Sequence, residues 1–159
     1  MRRKEKEVLE KDLIEFVLQK AEVCRVAFSD NNQPYLVPLS FGYEPGEPGF
    51  LYFHSALEGR KLDMLTLNPR VCFEVEYGCK LVRTETPCNF TVHFASVIGF
   101  GTASIITDHA RKAYGLDLIV KHYGAVPPSY EIKALSKLAV VQIKIDEMTC
   151  KKSGSVFEN

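Results

Sequence analysis

Two adjacent cations, Arg60 and Lys61, directly follow Gly59 and are the residues best suited to chemistry. An apolar segment at 50–55, typical of a strand, comes just before them. A helix predicted over 58–67 would place both cations at its N-terminus, where free N–H groups and the positive end of the helix dipole favour anions. Arginine grips a phosphate with two parallel hydrogen bonds, and lysine adds a point charge. The pattern predicts a phosphate site, although an exposed basic pair on a surface helix would have the same sequence.

Large and small side chains alternate along 34–43, which predicts a strand. One face would carry the large ones, Tyr35, Val37, Leu39, Phe41 and Tyr43. The other face would be shallow, with Pro38, Ser40 and Gly42. A flat ring fits such a face, and so does a partner subunit. Both interpretations stay open, because a ring can also lie at a subunit interface.

His54 is a candidate proton donor, since it ends the strand that leads to the two cations. Histidine titrates at about pH 6.5 and can act as a general acid. A histidine that only packs or hydrogen-bonds at a strand end fits the sequence equally well. His93, His109 and His122 share no spacing with acids or cysteines, so no metal site is predicted.

These residues need a scaffold, and hydrophobic periodicity predicts one that is mainly β with flanking helices. Asp12, with Glu15 in a capping box, would start a helix that runs to about Lys20. A second long helix would begin at Asp108 and end at Gly124. The strands are predicted at 23–29, 34–43, 50–55, 70–77, 90–106 and 138–146, with an irregular loop at 78–88. Few helices separate the strands, which favours a six-stranded antiparallel Greek-key barrel over a parallel sheet.

The composition of the chain restricts its domain organisation and the kinds of partner it can have. The chain has 159 residues, 46% of them apolar, and equal numbers of acidic and basic residues. We expect one domain over 12–150, a solvated arm at 1–11 and a loose polar tail at 151–159. The balanced charge argues against nucleic acid as a partner, and no apolar run approaches a membrane span. The charged N-terminus is not a signal peptide, which predicts a cytoplasmic location.

Several ordered motifs together resemble the pyridoxamine-phosphate-oxidase-like family of FMN-binding split β-barrels, and within it the Nim-type nitroimidazole-resistance branch. The phosphate signature of the family is an Arg-Lys pair followed by Asn-Pro-Arg-Val, which here is 60–61 followed by 68–71. Segments 23–25, 34–43, 52–55 and 96–99 also resemble that branch. True pyridoxamine-phosphate oxidases carry a C-terminal segment with basic and histidine residues that grip the substrate phosphate. Residues 148–159 show no such segment, so we do not expect vitamin B6 oxidation.

The resemblance implies a role for each matching residue. Arg60 and Lys61 would bind the flavin phosphate, and His54 would lie at the reaction centre. Ser96 would face the flavin of the neighbouring subunit. The remaining flavin contacts would be Val37, Pro38, Leu39, Ser40, Phe53, His54 and Ser55.

At the level of the whole protein, the resemblance implies a homodimer with FMN, or FAD through its shared FMN half, at the subunit interface. The activity would be flavin-dependent reduction of small acceptors such as 5-nitroimidazoles. The alternative is a non-catalytic module that stores or senses flavin, or that binds haem. Both functions need the same cradle, and the sequence does not separate them.

Overall fold

A computed structural model describes residues 3–157 of the chain. The helices are α1 Lys11–Lys20, α2 Arg60–Leu67, α3 His109–His122 and α4 Ile132–Leu135, with 3-10 turns at Lys4–Lys6 and Pro87–Asn89. The strands are β1 Glu7–Val8, β2 Cys24–Asp30, β3 Gln33–Leu39, β4 Gly42–Glu44, β5 Phe50–Ser55, β6 Arg70–Val82, β7 Thr91–Ile106 and β8 Ala139–Ser153. Within 3–157, no helix is long and apolar enough to cross a membrane.

All eight strands belong to one antiparallel sheet, in the order β3-β2-β6-β7-β8-β5-β4, with β1 added beside β8. The two ends of this order, β3 and β4, are consecutive in sequence, so residues 40 and 41 connect opposite edges of the sheet. The sheet therefore curls into a split β-barrel. The predicted fold class is confirmed, with eight strands in the described residues instead of six.

Alternation along the strands builds the core inside the barrel. Val71, Phe73 and Val75 are buried on one side of β6. The same inward alternation on the neighbouring strands supplies Val26, Phe28, Val97, Val141 and Ile143. Gly99 lies against the Phe73 ring, where an added Cβ would come within 2.3 Å of the ring edge. The register between β7 and β8 shifts between Phe100 and Gly101.

The strand predicted over 34–43 is wrong as a single element. It breaks after Leu39 and resumes at Gly42, and its two halves pair with different strands. Gly42 does not lie on an open face: an added Cβ would come within 2.6 Å of the backbone of Leu118 and Ile119 in α3. The shallow face that the sequence predicts is therefore limited to the outward residues of β3 and to Ser40.

Both chain ends are more ordered than predicted. Glu7 and Val8 pair with β8 and Val8 is buried, so the N-terminal arm is not solvated throughout. β8 continues to Ser153 and buries Cys150, because residues 147–153 pair with the first half of β7. The outermost parts of the predicted arm and tail, 1–2 and 158–159, lie outside the described residues.

Two further local predictions are wrong. α1 begins after Glu10 rather than with an Asp12 cap, and no side chain among residues 3–157 caps it. The predicted loop 78–88 is partly strand, because β6 resumes pairing with β7 at Lys80 after a register shift that follows Tyr77. By contrast, Asp108 does cap α3, accepting a hydrogen bond from the backbone N–H of Arg111 at 2.9 Å.

Candidate functional site

The N-terminus of α2 is open for an anion. Gly59, the residue before the helix, has φ +139°, a conformation that glycine adopts readily and that strains other residues. Its carbonyl accepts hydrogen bonds from Leu62 at 2.8 Å and Asp63 at 3.2 Å, which starts the helix. No side chain in the described part of the chain caps the first turn. The N–H groups that precede the first intrahelical bonds can therefore serve a ligand.

The two cations of this turn are not neutralised by any residue within 3–157. Arg60 is exposed, and its guanidinium carbon lies 4.7 Å from the ring centroid of Tyr35 on β3. Lys61 is half-buried. Neither cation forms an ion pair with a carboxylate of residues 3–157. The Tyr35 ring thus orients Arg60 beside the helix N-terminus and leaves its N–H groups free for a phosphate.

Arg25 shows the opposite arrangement. It lies across the β2–β3 ladder from Pro38, and its guanidinium contacts Glu74 at 3.1 Å and Glu76 at 2.8 Å. The hydrogen bond to Glu74 raises the pKa of Arg25, while burial raises the pKa of Glu74. Two carboxylates already occupy Arg25, so Arg60 and not Arg25 is the arginine suited to an anionic ligand.

The end of β5 separates its three candidate residues between two faces. Phe53 points inward and packs edge-on against Phe28, with ring centroids 6.4 Å apart. Ser55 also points inward and is buried, and its Oγ has no hydrogen-bond partner in the described part of the chain. His54 lies between them in sequence and is exposed on the outer face.

β3 presents its candidate residues in the same alternating way. Val37 and Leu39 are half-buried and pack against the core. Pro38 is exposed on the opposite face, and Ser40, just beyond the strand, is exposed as well. A ligand lying along β3 can thus contact the backbone of this strand and the side chains of one face only.

Ser96 does not join the other candidate residues within one chain. It lies on β7, opposite Glu76 of β6, and three strand spacings separate β7 from β3. At about 4.8 Å per spacing, this is about 14 Å across the sheet. His54 pairs with Val140, which pairs with Ile106, so Ser96 is also ten residues of β7 away from the level of His54.

The sequence missed two parts of this site. The sequence identifies Tyr35 only as a large strand residue, but its ring lies against the Arg60 guanidinium. Beside Arg60 lies a groove of about 330 Å³, lined also by Asp30, Asn31, Gln33, Asp63, Met64 and Leu67. The turn at Asn31 and Asn32, both with positive φ, forms one end of it. The sequence Asp30-Asn31-Asn32 does predict a turn, but the position of this turn beside α2 follows only from the closed sheet.

The arrangement fits a phosphorylated flavin. An uncapped helix N-terminus and two unpaired cations suit the phosphate, and the unpartnered Oγ of Ser55 is a buried polar atom that a ligand could satisfy. The backbone of β3 and β5 can contact the rest of the flavin. Among residues 3–157, no three His, Cys, Asp or Glu side chains are grouped to hold a metal ion.

Solved structures of known proteins share this fold. A candidate 5-nitroimidazole antibiotic resistance protein from Bacteroides thetaiotaomicron is 34% identical, with a TM-score of 0.80 over 92% of this chain and 86% of that one. The flavocytochrome Anf3 from Azotobacter vinelandii is 23% identical, with a TM-score of 0.79 over 100% of this chain and 75% of that one. An FAD and haem binding protein from Mycobacterium smegmatis is 19% identical, with a TM-score of 0.78 over 97% and 76%.

The family comparison covers nearly the whole fold. No curated protein sequence matches this chain significantly. The model of the pyridoxamine 5'-phosphate oxidase family matches residues 10–152, from the start of α1 to the end of β8. The chain therefore belongs to the pyridoxamine 5'-phosphate oxidase-like family.

Proposed function

We propose that this protein binds FMN and acts as a flavin-dependent reductase of small flat acceptors such as 5-nitroimidazoles. The observation that carries the proposal is the unpaired Arg60 at the open N-terminus of α2, with the unpartnered Ser55 Oγ at the end of the preceding strand. The 34% identity to a candidate nitroimidazole resistance protein supports the choice of acceptor.

Each residue has a distinct task in this proposal. Arg60 grips the phosphate through two N–H groups, Lys61 adds a positive charge, and Ser55 donates a hydrogen bond from its hydroxyl. The backbone and outward side chains of 37–40 support the rest of the ligand. A bound flavin supplies the electron chemistry, and the protein orients it and limits access of water.

His54 is the proposed proton donor to the reduced acceptor. Its imidazole is exposed at the end of β5, so it can exchange protons with solvent, and it lies six residues before Arg60. General acid assistance is worth about 10²–10⁴-fold in rate. The resemblance to Nim-type proteins supports this role. Because the imidazole is exposed, an acceptor can reach it.

The cofactor can be FMN or FAD. Both share the FMN half, and the groove beside Arg60 leaves about 330 Å³ next to the phosphate position. Its lining includes Leu67, which is 70% exposed, together with amide and carboxylate groups that could bind a nucleotide. We propose FMN, and comparing the affinities for FMN and FAD shows whether the groove adds binding.

We further propose a homodimer with a flavin site at its interface. Support comes from the outer face of the sheet, where Leu36, Ile98 and Phe100 are each more than 40% exposed on β3 and β7. Ser96 lies on that same face, too far from β3 to serve the site of its own chain. Light scattering should give twice the monomer mass, and Phe100→Glu should shift it to monomer; a monomeric wild type would contradict the proposal.

The activity is tested by anaerobic single-turnover reduction of a 5-nitroimidazole by the chemically reduced, FMN-loaded protein. We expect the wild-type protein to reduce the nitro group while its flavin becomes oxidised. The His54→Ala variant should carry out this reaction at least a hundredfold more slowly (on the order of 10²) with flavin still bound. An unchanged rate would make His54 a packing residue. Stable flavin or haem binding without any turnover would favour the storage or sensing alternative.

A further inference from the structure

The crossover between β3 and β4 consists of residues 40 and 41, which lie between two ladders of the sheet. Leu39 is the last residue of β3 in the ladder with β2, and Gly42 is the first of β4 in the ladder with β5. Ser40 and Phe41 form no ladder pair, although the Phe41 side chain is only 1% exposed. A segment without ladder bonds takes its shape from whatever else contacts it.

The C-terminal end of α3 provides those contacts. The Tyr123 hydroxyl accepts a hydrogen bond from the Phe41 backbone N–H at 3.2 Å and donates one to the Glu22 carbonyl at 2.8 Å. The neighbouring His122 bonds the Ala21 carbonyl at 2.7 Å, and its ring centroid lies 4.3 Å from that of Phe41. One helix end thus ties the crossover to the segment between α1 and β2.

Gly42, the first residue after the crossover, fixes the position of α3. Gly42 meets the backbone of Leu118 and Ile119 so closely that an added Cβ would lie at 2.6 Å. The helix therefore cannot shift along the crossover without losing this contact. The Tyr123 hydroxyl, one turn further on, sets where the chain leaves β3, next to Leu39 and Ser40.

We infer that Tyr123 is a positioning residue for the flavin site, holding the crossover so that Leu39 and Ser40 take the shape that fits the ring system. The inference rests on the proposed flavin binding. Tyr123 is outside the residues assigned to the cradle and acts through the backbone of Phe41. Removing its hydroxyl leaves a buried N–H without a partner, and the crossover can then sample other conformations.

The test compares Tyr123→Phe with Tyr114→Phe. Both tyrosines are on or next to α3, both are about half-exposed at 45% and 46%, and both bond another part of the chain, since the Tyr114 hydroxyl donates to Glu44 at 2.7 Å. We expect Tyr123→Phe to raise the Kd for FMN about tenfold and to speed amide hydrogen exchange at Ser40 and Phe41. Tyr114→Phe should lower thermal stability to a similar degree and leave the Kd unchanged.

An FMN affinity of Tyr123→Phe equal to that of wild type, or equal loss in both variants, would overturn the inference. If Tyr123→Phe does not fold, Phe41→Leu serves instead; it keeps the backbone N–H but loses the ring contact with His122, and an unchanged Kd there would also overturn it. Failure of wild type to bind FMN would refute the proposed function itself. Hydrogen exchange would then still show whether Tyr123 holds the crossover.

Discussion

Replacing Arg60 with Ala should weaken FMN binding without unfolding the protein. A hydrogen bond to a charged group contributes about 1.5–3 kcal/mol, and about 1.4 kcal/mol corresponds to a tenfold change in Kd. The Kd should therefore rise about 10–150-fold. Lys61→Ala should have a smaller effect, because lysine cannot make the bidentate contact of arginine.

Stability should change little in the same variant. Arg60 is exposed and stacks on the Tyr35 ring, an interaction worth about 0.5–1 kcal/mol at an exposed site. For a chain of this size, that lowers Tm by no more than about 4 °C. The affinity and stability readouts therefore separate binding from folding.

The assay is a fluorescence titration of FMN with each purified variant, alongside thermal unfolding. Arg111→Ala is the matched control, because Arg111 is an exposed arginine in the first turn of α3, bonded to Gln142 at 3.0 Å. If Arg60→Ala binds FMN within about twofold of wild type, or if Arg111→Ala loses as much affinity, the phosphate assignment is refuted.

Two further predictions concern the scaffold. Gly42→Ala should destabilise the protein by about 1–3 kcal/mol or more, since the new Cβ meets backbone of α3 that cannot rotate away; a Tm equal to that of wild type would show that the helix can shift. Burial raises the pKa of the Cys24 thiol from 9.0 to about 12, so the unfolded chain releases this proton first as pH rises. The contribution of Cys24 to stability is therefore complete below about pH 9 and falls by about 1.4 kcal/mol per pH unit above it, until the folded thiol also titrates. Urea unfolding at about pH 8 and about pH 10 should show a steeper loss for wild type than for Cys24→Ala, and parallel losses would contradict this.

The elements that the sequence predicts well are those whose pattern is local. β5 has the predicted bounds, 50–55, because apolar residues run between two turn signals. Asp108 caps α3 as expected, since a cap depends only on the next few residues. The cation pair of α2 was found for the same reason: a strand, a glycine and a helix start are adjacent in sequence.

The features that the sequence missed depend on distant parts of the chain. Residues 34–43 alternate like one strand. Their break depends on α3 and on Tyr123, which directly follows it and accepts a hydrogen bond from the Phe41 N–H. β1 is two residues long and exists because β8 provides a ladder. Tyr35 meets Arg60 across the curled sheet, a contact that strand periodicity does not encode.

The phosphate cradle at α2 is the central claim, and the affinity of the wild-type protein for FMN relative to riboflavin tests it most directly. The two ligands differ only in the phosphate, so the ratio isolates the contribution of Arg60, Lys61 and the helix N-terminus. With two charged contacts, FMN should bind at least about a hundredfold more tightly than riboflavin, with one site per chain. Equal affinities for the two ligands, or no saturable binding of either, would contradict the account.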